Sequence, residues 1–320
     1  MPGYVPTPEE LRLREVYRDW VHGNPGTHLD GGVANDLAWQ VWWRDLAVIP
    51  SRRYDAPSGK VGRRFVGMIV SEMQGVRDRL WNSERFIVFN TVILQRARHV
   101  TASHSIRRRI EKRLDAWGAG KHAMLVGDTL RSCEEYLNAS RREETVEHRA
   151  QTYHSLVLRG KLRSAVRWIT EQETGGVLQP GNRCEKTGDQ VLEVLRAKHP
   201  EAQTPTAACL TSYTGCPPEL TPVDITDDTV TAVAGRLLGG ARPGGTDSVL
   251  LQHWLLWFGA ASAEIRRIVR DFVEWLGNGW PPWASYLALI SGRMIALDKQ
   301  PGIRPVGVGE TWRRLIAKPL

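Results

Sequence analysis

Cysteine is scarce in this chain and forms no recognisable metal-binding or redox motif. The 320 residues include four cysteines, and no two of them form a CxxC pair. Their spacing from nearby histidines also differs from that of zinc sites. We therefore expect reduced thiols, no metal site, and an intracellular protein whose compartment, nucleus or cytoplasm, the sequence does not distinguish.

Long apolar runs are also missing. The N-terminal stretch MPGYVPTPEELRLREVY lacks the apolar segment of a signal peptide, and no run reaches the length of a membrane span. Hydrophobic residues nevertheless make up 42% of the chain, which is enough material for a buried core. The sequence therefore predicts a folded protein without a membrane partner.

Positive charge exceeds negative charge. The chain has 43 Lys and Arg against 35 Asp and Glu, a formal net charge of +8, and a pI near 9.5. This excess favours polyanionic partners such as RNA or DNA. Because many basic globular proteins bind no nucleic acid, the excess charge alone does not decide between the two readings.

Two predicted helices carry cationic stripes. Between Ile106 and Trp117 the apolar residues recur at helical spacing, and the basic residues, Arg113 included, are expected outside that face. A second helix is predicted in RGKLRSAVRWITEQETGG. The candidate nucleic-acid-binding residues are Arg107, Arg108 and Lys112 on the first helix and Arg159, Arg163 and Arg167 on the second. Either stripe alone is typical of a solvated helix face, whereas the two together favour phosphate contacts.

The composition changes between residues 174 and 222 to proline, threonine, glycine and cysteine with little periodicity. This predicts a linker or a long loop. It separates a helical basic region, residues 1–173, from a segment over residues 223–320. In that segment Thr226 is predicted to cap a helix, which makes the following aspartates first-turn residues and not metal ligands. The expected fold is mainly α, with a small α+β segment at the end.

A β-hairpin is predicted near the end of the chain. RMIALDK and IRPVGV are separated by the turn residues Gln300, Pro301 and Gly302. This places Lys299 and Arg304 on neighbouring arms, where an ammonium and a guanidinium could converge on a triphosphate. The alternative is that both are ordinary exposed hairpin residues.

Four stretches in this region occur in a characteristic order: PGGTDS, FVEWLGNGWPPW, ALDK and IRPVGVGETWRRLIAK. Together they resemble the fingers portion of a reverse transcriptase of the non-LTR retrotransposon type, an RNA-directed DNA polymerase. The resemblance covers about Gly240 to Leu320, a quarter of the chain. It implies incoming-nucleotide contacts at Lys299 and Arg304. Arg313 and Arg314 are expected to make nucleic-acid backbone or surface contacts.

Tryptophans in this segment have two readings. Trp280, Trp283 and Trp312 could stack on bases, but tryptophans on helices and beside prolines more often belong to a core, which we favour. An apolar face around Trp254, Leu255 and Trp257 is expected to be partly uncovered.

The resemblance stops before the catalytic palm. Polymerisation needs metal ions held by palm aspartates, and in this family those residues lie beyond the arginine-proline strand. No aspartate here has a matching context, so we expect no catalytic residue and no cofactor, whereas a complete family member would bind magnesium. The chain then resembles a truncated reading frame, a degenerate element copy or a fragment of a polyprotein. Its partners would include RNA or DNA, and a palm segment or another element-encoded protein.

Two alternatives stay open. The chain could be a non-catalytic helical nucleic-acid-binding protein, or the product of a decayed element with no selected function. Genomic sequence downstream separates them: an in-frame palm supports the fragment, a clean stop with preserved expression supports the binding protein, and scattered stops support decay.

The first prediction concerns catalysis. Because palm carboxylates are missing from the matching context, the purified chain should not extend a primer in the presence of magnesium or manganese. A primer-extension assay on RNA and DNA templates, with a complete reverse transcriptase as positive control, measures this. Extension that co-purifies with the 320-residue chain would show that the prediction is wrong.

Overall fold

The computed structural model describes most of the chain. The described residues are 31–48, 52–140, 146–158, 162, 165–166, 177–178, 181–199, 222–239, 244–279, 283–299 and 302–319. The chain forms two compact units. The larger unit comprises residues 1–140, 222–293 and 309–320, and the smaller unit comprises residues 141–221 and 294–308.

The fold is mainly helical with a small β-hairpin, which confirms the predicted fold class. The helices of the first half are α1 Gly31–Val48, α2 Lys60–Arg77, α3 Ser83–Leu94, α4 Ser103–Gly118, α5 His122–Ser140 and α6 Val146–Leu158. Those of the second half are α7 Val191–Lys198, α8 Asp227–Gly235, α9 Ser248–Leu256, α10 Ala260–Asn278, α11 Trp283–Ile290 and α12 Thr311–Ala317. The strands are β1 Val177–Leu178, β2 Gly292–Asp298 and β3 Ile303–Gly309. Among the described residues, no helix is both long and apolar enough to cross a membrane.

A connected series of aromatic rings runs through the core of the larger unit. Successive members are in ring contact, with centroids 4.8 to 6.2 Å apart. The series is Trp42, Trp39, Trp117, Phe89, Phe65, Trp254, Trp312 and Phe86. All of these side chains are buried. Large aromatic side chains bury much apolar area, so this series links the helices from α1 to α12.

Helices α2 and α10 lie side by side and run in the same direction. At one end Gly62 packs so tightly against the ring of Phe258, just before α10, that a side chain at position 62 would collide with it. Towards the other end Arg77 forms an ion pair of 3.2 Å with Asp271. Gly62 and Phe258 lie near the starts of the two helices, and Arg77 and Asp271 lie later in each. The helices are therefore parallel, and their first turns lie at the same end of the pair.

A polar cluster ties distant chain segments together in the larger unit. The Arg53 guanidinium donates to Asn90 O at 2.5 Å, to Thr91 Oγ1 at 2.9 Å and to Thr246 Oγ1 at 3.1 Å. The Gly244 N–H donates to the buried Glu310 carboxyl. Burial raises the pKa of Glu310 to about 7, although the Gly244 hydrogen bond and the Arg53 charge oppose that shift.

A second cluster surrounds the buried Glu72. Arg85 donates to both of its carboxylate oxygens, and Trp117 Nε1 donates to Oε1 at 2.8 Å. The His122 ring packs against the Trp117 ring with centroids 4.6 Å apart. Burial, followed by the Arg85 charge, lowers the pKa of His122 to about 4. His122 is therefore neutral at physiological pH.

The smaller unit contains a three-stranded sheet in the order β1, β2, β3. Strand β1 pairs antiparallel with β2, with Leu178 opposite Ala296. The hairpin turn is closed by a 3.0 Å hydrogen bond from Lys299 N to Gly302 O. Gly302 has φ 120°, a conformation that favours glycine at this turn position. The predicted hairpin is therefore present, while Gln300 and Pro301 of its predicted turn lie outside the described residues.

The described parts of residues 174–222, where a linker or a long loop is expected, contain two regular elements. They contribute strand β1 and helix α7, and Val191 of α7 packs with Cys184, Ala296 and Ile303. Neither element shows in the composition because β1 has two residues and α7 has eight. Short elements have too little periodicity to stand out.

The structure confirms one predicted helix cap, and it shows that the predicted exposure of one arginine is wrong. Thr226 caps α8 by accepting a hydrogen bond from Thr229 N at 3.2 Å, as predicted. Arg113, expected outside the packing face of α4, is instead buried and donates to Val92 O and Thr129 Oγ1. Its long side chain reaches acceptors on neighbouring helices, which a single-helix pattern cannot show.

The second prediction is a pair of opposed pH dependences. Between pH 4.5 and about 7 the folded state keeps a proton on Glu310 that the unfolded chain releases, so this group stabilises the fold at low pH and loses that effect as pH rises. Between pH 6.5 and about 4 the unfolded chain protonates a histidine that the fold keeps neutral, so His122 stabilises the fold at high pH and loses that effect as pH falls.

Glu310→Gln should therefore gain stability relative to the parent as pH rises from about 5 to about 8, by on the order of 1 to 3 kcal/mol. His122→Phe should gain relative to the parent as pH falls from about 7 to about 4.5. Urea unfolding at a series of pH values measures both differences. Parallel stability curves for parent and variants would contradict the assignment.

Candidate nucleic-acid interface

Helix α4 exposes the first predicted cationic stripe. Arg107, Arg108 and Lys112 are all exposed, while Ile110 and Leu114 are buried on the opposite side. Glu111 lies on the same exposed side, so the stripe is mixed and not purely cationic. The structure confirms the exposure of these three residues, and their binding role stays a prediction.

Additional cations lie on the segment that leads into α4. Arg53 and Gln95 form an isolated antiparallel bridge, and Arg96 N donates to Arg52 O at 2.9 Å. This pairing sets Arg52 and Arg96 next to each other, and both are exposed, as is Arg98. We call Arg52, Arg96 and Arg98, together with Arg107, Arg108 and Lys112 of the helix that follows Arg98 in the chain, the basic patch.

The backbone under the basic patch is fixed by one buried tyrosine. The Tyr54 hydroxyl donates to Val100 O at 2.7 Å and accepts from Ala97 N at 3.1 Å. Tyr54 N itself donates to Leu94 O at 2.8 Å. These bonds hold the segment before α4 in one conformation, so less ordering is needed when a ligand binds it.

Among the residues that the structure describes, some arginines of the larger unit form ion pairs, whereas the cations of the basic patch do not. Arg85, Arg77 and Arg270 form ion pairs with carboxylates at 2.7 to 3.2 Å. Within the described residues, no patch side chain forms an ion pair, and Arg52 instead lies over the Tyr136 ring at 5.2 Å. The exposed Glu134 and Glu135 next to Tyr136 limit the patch on that side.

The hairpin presents its two predicted phosphate contacts on one face. Ala296 and Ile303 pack against α7, and side chains alternate along a strand, so Lys299 and Arg304 lie on the opposite face. Both are exposed, and neither has a hydrogen-bond or ion-pair partner for its side chain in the part of the chain that the structure describes. The geometry is compatible with two cations acting on one anion.

Arg313 and Arg314 have structural contacts. Arg313 Nη1 donates to Ile290 O at 3.2 Å, at the end of α11, and Arg314 Nη1 donates to Leu238 O at 3.0 Å, just after α8. The carbonyl of Ile290, the last residue of α11, lies at a helix end where carbonyls lack partners within the helix, and Arg313 supplies one. Arg313 remains exposed and Arg314 is partly buried, so these contacts account for much of the donor capacity of Arg314.

Several predicted residues lie outside the described residues. They are Arg159, Arg163, Arg167 and Trp280, together with the side chain of Trp283. Trp312 is fully buried, which confirms that it belongs to the core. In the expected uncovered face, Trp254 and Leu255 are buried, whereas Trp257 is 76% exposed. The neighbours of Trp254 come from α2 and α12, so the local pattern could not show its burial.

Comparisons with known proteins do not assign this chain to a family. No family model, no curated protein and no solved structure matches it. Within the described ranges, no group of three or more His, Cys, Asp or Glu could hold a metal ion.

Three residues of the basic patch were not predicted from the sequence. Arg52, Arg96 and Arg98 lie in loops and follow no helical spacing, so no periodic signal marks them. Their only sequence signal is the local density of arginine in SRRYDAPSGKVGRR and in the stretch before α4. Their proximity comes from the bridge between Arg53 and Gln95, a contact between residues 42 positions apart.

The third prediction concerns Lys299 and Arg304. Replacing both with alanine should weaken binding of a deoxynucleoside triphosphate by roughly tenfold, because charge-assisted hydrogen bonds to phosphate are removed. The melting temperature should stay unchanged, since both side chains are exposed. The matched control replaces Lys186 and Arg196, two exposed cations of the same unit. Isothermal titration calorimetry measures the affinity, and equal affinities for parent and double variant would contradict the role.

Proposed function

We propose that this protein binds RNA or DNA without sequence preference through the basic patch. One observation carries the proposal: the patch cations are exposed, follow a fixed backbone segment and lack carboxylate partners among the described residues, whereas Arg77, Arg85 and Arg270 of the same unit are ion-paired. Unpaired, preorganised cations release counterions when they meet phosphates, and this release drives binding.

The proposal includes a retroelement origin. Two of the stretches that carry the resemblance to reverse transcriptase fingers are packed together, because Gly244 N donates to Glu310 and Thr311 Oγ1 donates to Thr246 O at 2.7 Å. This contact supports reading PGGTDS and the GVGET stretch as parts of one module. On this reading the hairpin cations contact nucleotide phosphates, and the chain does not polymerise by itself.

A nucleic-acid-binding protein and a decayed element product differ in the surface charges expected of them. A product without a selected function has no reason to keep cations clustered and unpaired. A surviving binding protein keeps them where the backbone is rigid, as at Arg96 and Arg98 beside Tyr54. The binding experiment below therefore bears on both readings.

The fourth prediction tests the basic patch. Arg107→Ala with Arg108→Ala should weaken binding of a labelled single strand of about 20 nucleotides at low salt. The slope of the logarithm of the binding constant against the logarithm of the salt concentration should also become less negative, by about 0.7 for each phosphate that the variant no longer neutralises. The matched control is Arg236→Ala with Arg267→Ala, which removes two exposed cations outside the patch. Fluorescence anisotropy across salt concentrations provides both quantities.

Two results would oppose the proposal. If the parent protein binds no nucleic acid at low salt, the function is wrong. If patch and control variants are weakened to the same extent, then binding follows the net charge of the chain and not the patch. Circular dichroism on all variants verifies that the comparison is between folded proteins.

A further inference from the structure

One tryptophan of the larger unit is exposed without a packing reason. Trp257 follows α9 and is 76% exposed, although Trp254, one turn earlier, is fully buried. Exposed tryptophan rings are unusual in a folded unit and are often used for recognition. The open face of Trp257 is therefore available to a flat ligand group.

The backbone on both sides of Trp257 is held in place. Trp257 N donates to His253 O at 3.0 Å, and Phe258 N donates to Ser262 Oγ at 2.8 Å. Ser262 Oγ in turn donates to Trp254 O at 2.8 Å. A ring on a fixed backbone loses little conformational entropy when it binds a partner.

Trp257 lies beside the first turn of α2. The His253 ring lies between the other two rings, with centroids 6.1 Å from Trp257 and 5.0 Å from Phe258. Phe258 in turn is packed against Gly62. This series of contacts places the exposed indole next to the end where α2 and α10 both begin.

The first turn of α2 supplies positive charge and no acid. Lys60 and Arg63 flank Gly62 in sequence, and both are exposed. Neither has an ion-pair partner within the described ranges. Two exposed acids flank these elements in the chain: Glu264 lies one turn into α10, and Asp55 lies five residues before α2.

We propose that Trp257 is a stacking platform for one base of single-stranded RNA or DNA, with Lys60 and Arg63 binding the neighbouring phosphates. This inference rests on the proposed function, since it assumes that the chain binds nucleic acid, and it adds a preference for unpaired strands. An aromatic face beside cations is how sequence-tolerant single-strand binders hold bases and backbone together. A duplex hides its base faces, so it gains only the phosphate contacts.

Charge complementarity favours nucleic acid over a protein partner here. Lysine is depleted in the cores of protein interfaces, whereas Lys60 and Arg63 lie on the first turn of α2, which the neighbouring Phe258 ring contacts at Gly62. Exposed apolar side chains do occur nearby on α9 and before it, at Val249 and Leu238. A second copy of the chain is therefore the competing occupant that the experiment must separate.

The test uses the whole chain and a labelled oligouridine or oligothymidine of about 12 nucleotides, with a duplex of the same length. Trp257→Ala should weaken single-strand binding by about tenfold, leave duplex binding unchanged, and leave the salt slope unchanged because stacking releases no counterions. Trp257→Phe should keep most of the affinity. The double variant Lys60→Ala with Arg63→Ala should instead make the salt dependence of binding less steep, by about 0.7 in the slope for each phosphate left without its cation.

Leu80→Ala is the matched control, since Leu80 is 69% exposed and lies after α2, at the opposite end of that helix. Unchanged single-strand affinity in Trp257→Ala would overturn the platform, as would an equal weakening for the duplex. If Trp257→Ala instead abolishes concentration-dependent self-association in analytical ultracentrifugation and keeps its oligonucleotide affinity, the surface binds a second copy of the chain. That result would also overturn the platform.

The two proposals fail in different ways. If the parent binds neither strand form, the proposed function fails and the platform with it. If the parent binds and only the Arg107 and Arg108 variant loses affinity, the basic patch stands and the platform is wrong.

Discussion

The Arg53 guanidinium must find acceptors inside the larger unit, and its hydrogen bonds fix much of what surrounds it. Burial lowers the pKa of Arg53 to about 10, so the group stays charged at neutral pH. A charge shielded from water is stable only when it is hydrogen-bonded. Arg53 meets this need with Asn90, Thr91 and Thr246, and so connects the loop before α2, helix α3 and the turn before α9.

Both proposed surfaces inherit their rigidity from this connection. On one side, Arg53 pairs with Gln95, which sets the register that brings Arg52 next to Arg96. On the other side, the turn that contains Thr246 leads into Asp247, which caps α9 by accepting from Leu250 N at 2.8 Å. Arg52, Arg96, Arg98 and Trp257 thus lie outside helices on backbone that a polar interior holds in place, which limits the ordering that a ligand must impose.

Local periodicity predicts the helices and strands but not the distant residues that they contact. The spacing of Ile110 and Leu114 in α4, the Thr226 cap of α8 and the hairpin are encoded within short windows, and these were predicted correctly. The burial of Arg113 depends on Val92 and Thr129, and the pairing of Arg52 with Arg96 depends on a bridge across 42 positions. Single-sequence patterns contain no such distances. The exposure of Trp257 beside the buried Trp254 has the same origin, since neighbouring helices decide which ring is covered.

The discontinuity of the larger unit has a consequence for synthesis on the ribosome. Trp312 is buried in contact with Phe86 and Trp254, and Ser83 Oγ accepts from Ala288 N at 3.1 Å. Helices α2 to α5 therefore leave the exit tunnel long before the residues that cover them. Such late, long-range closure slows folding and prolongs the exposure of apolar surface. The aromatic residues of α2 and α3 therefore stay without their partners Trp254 and Trp312 until late in translation.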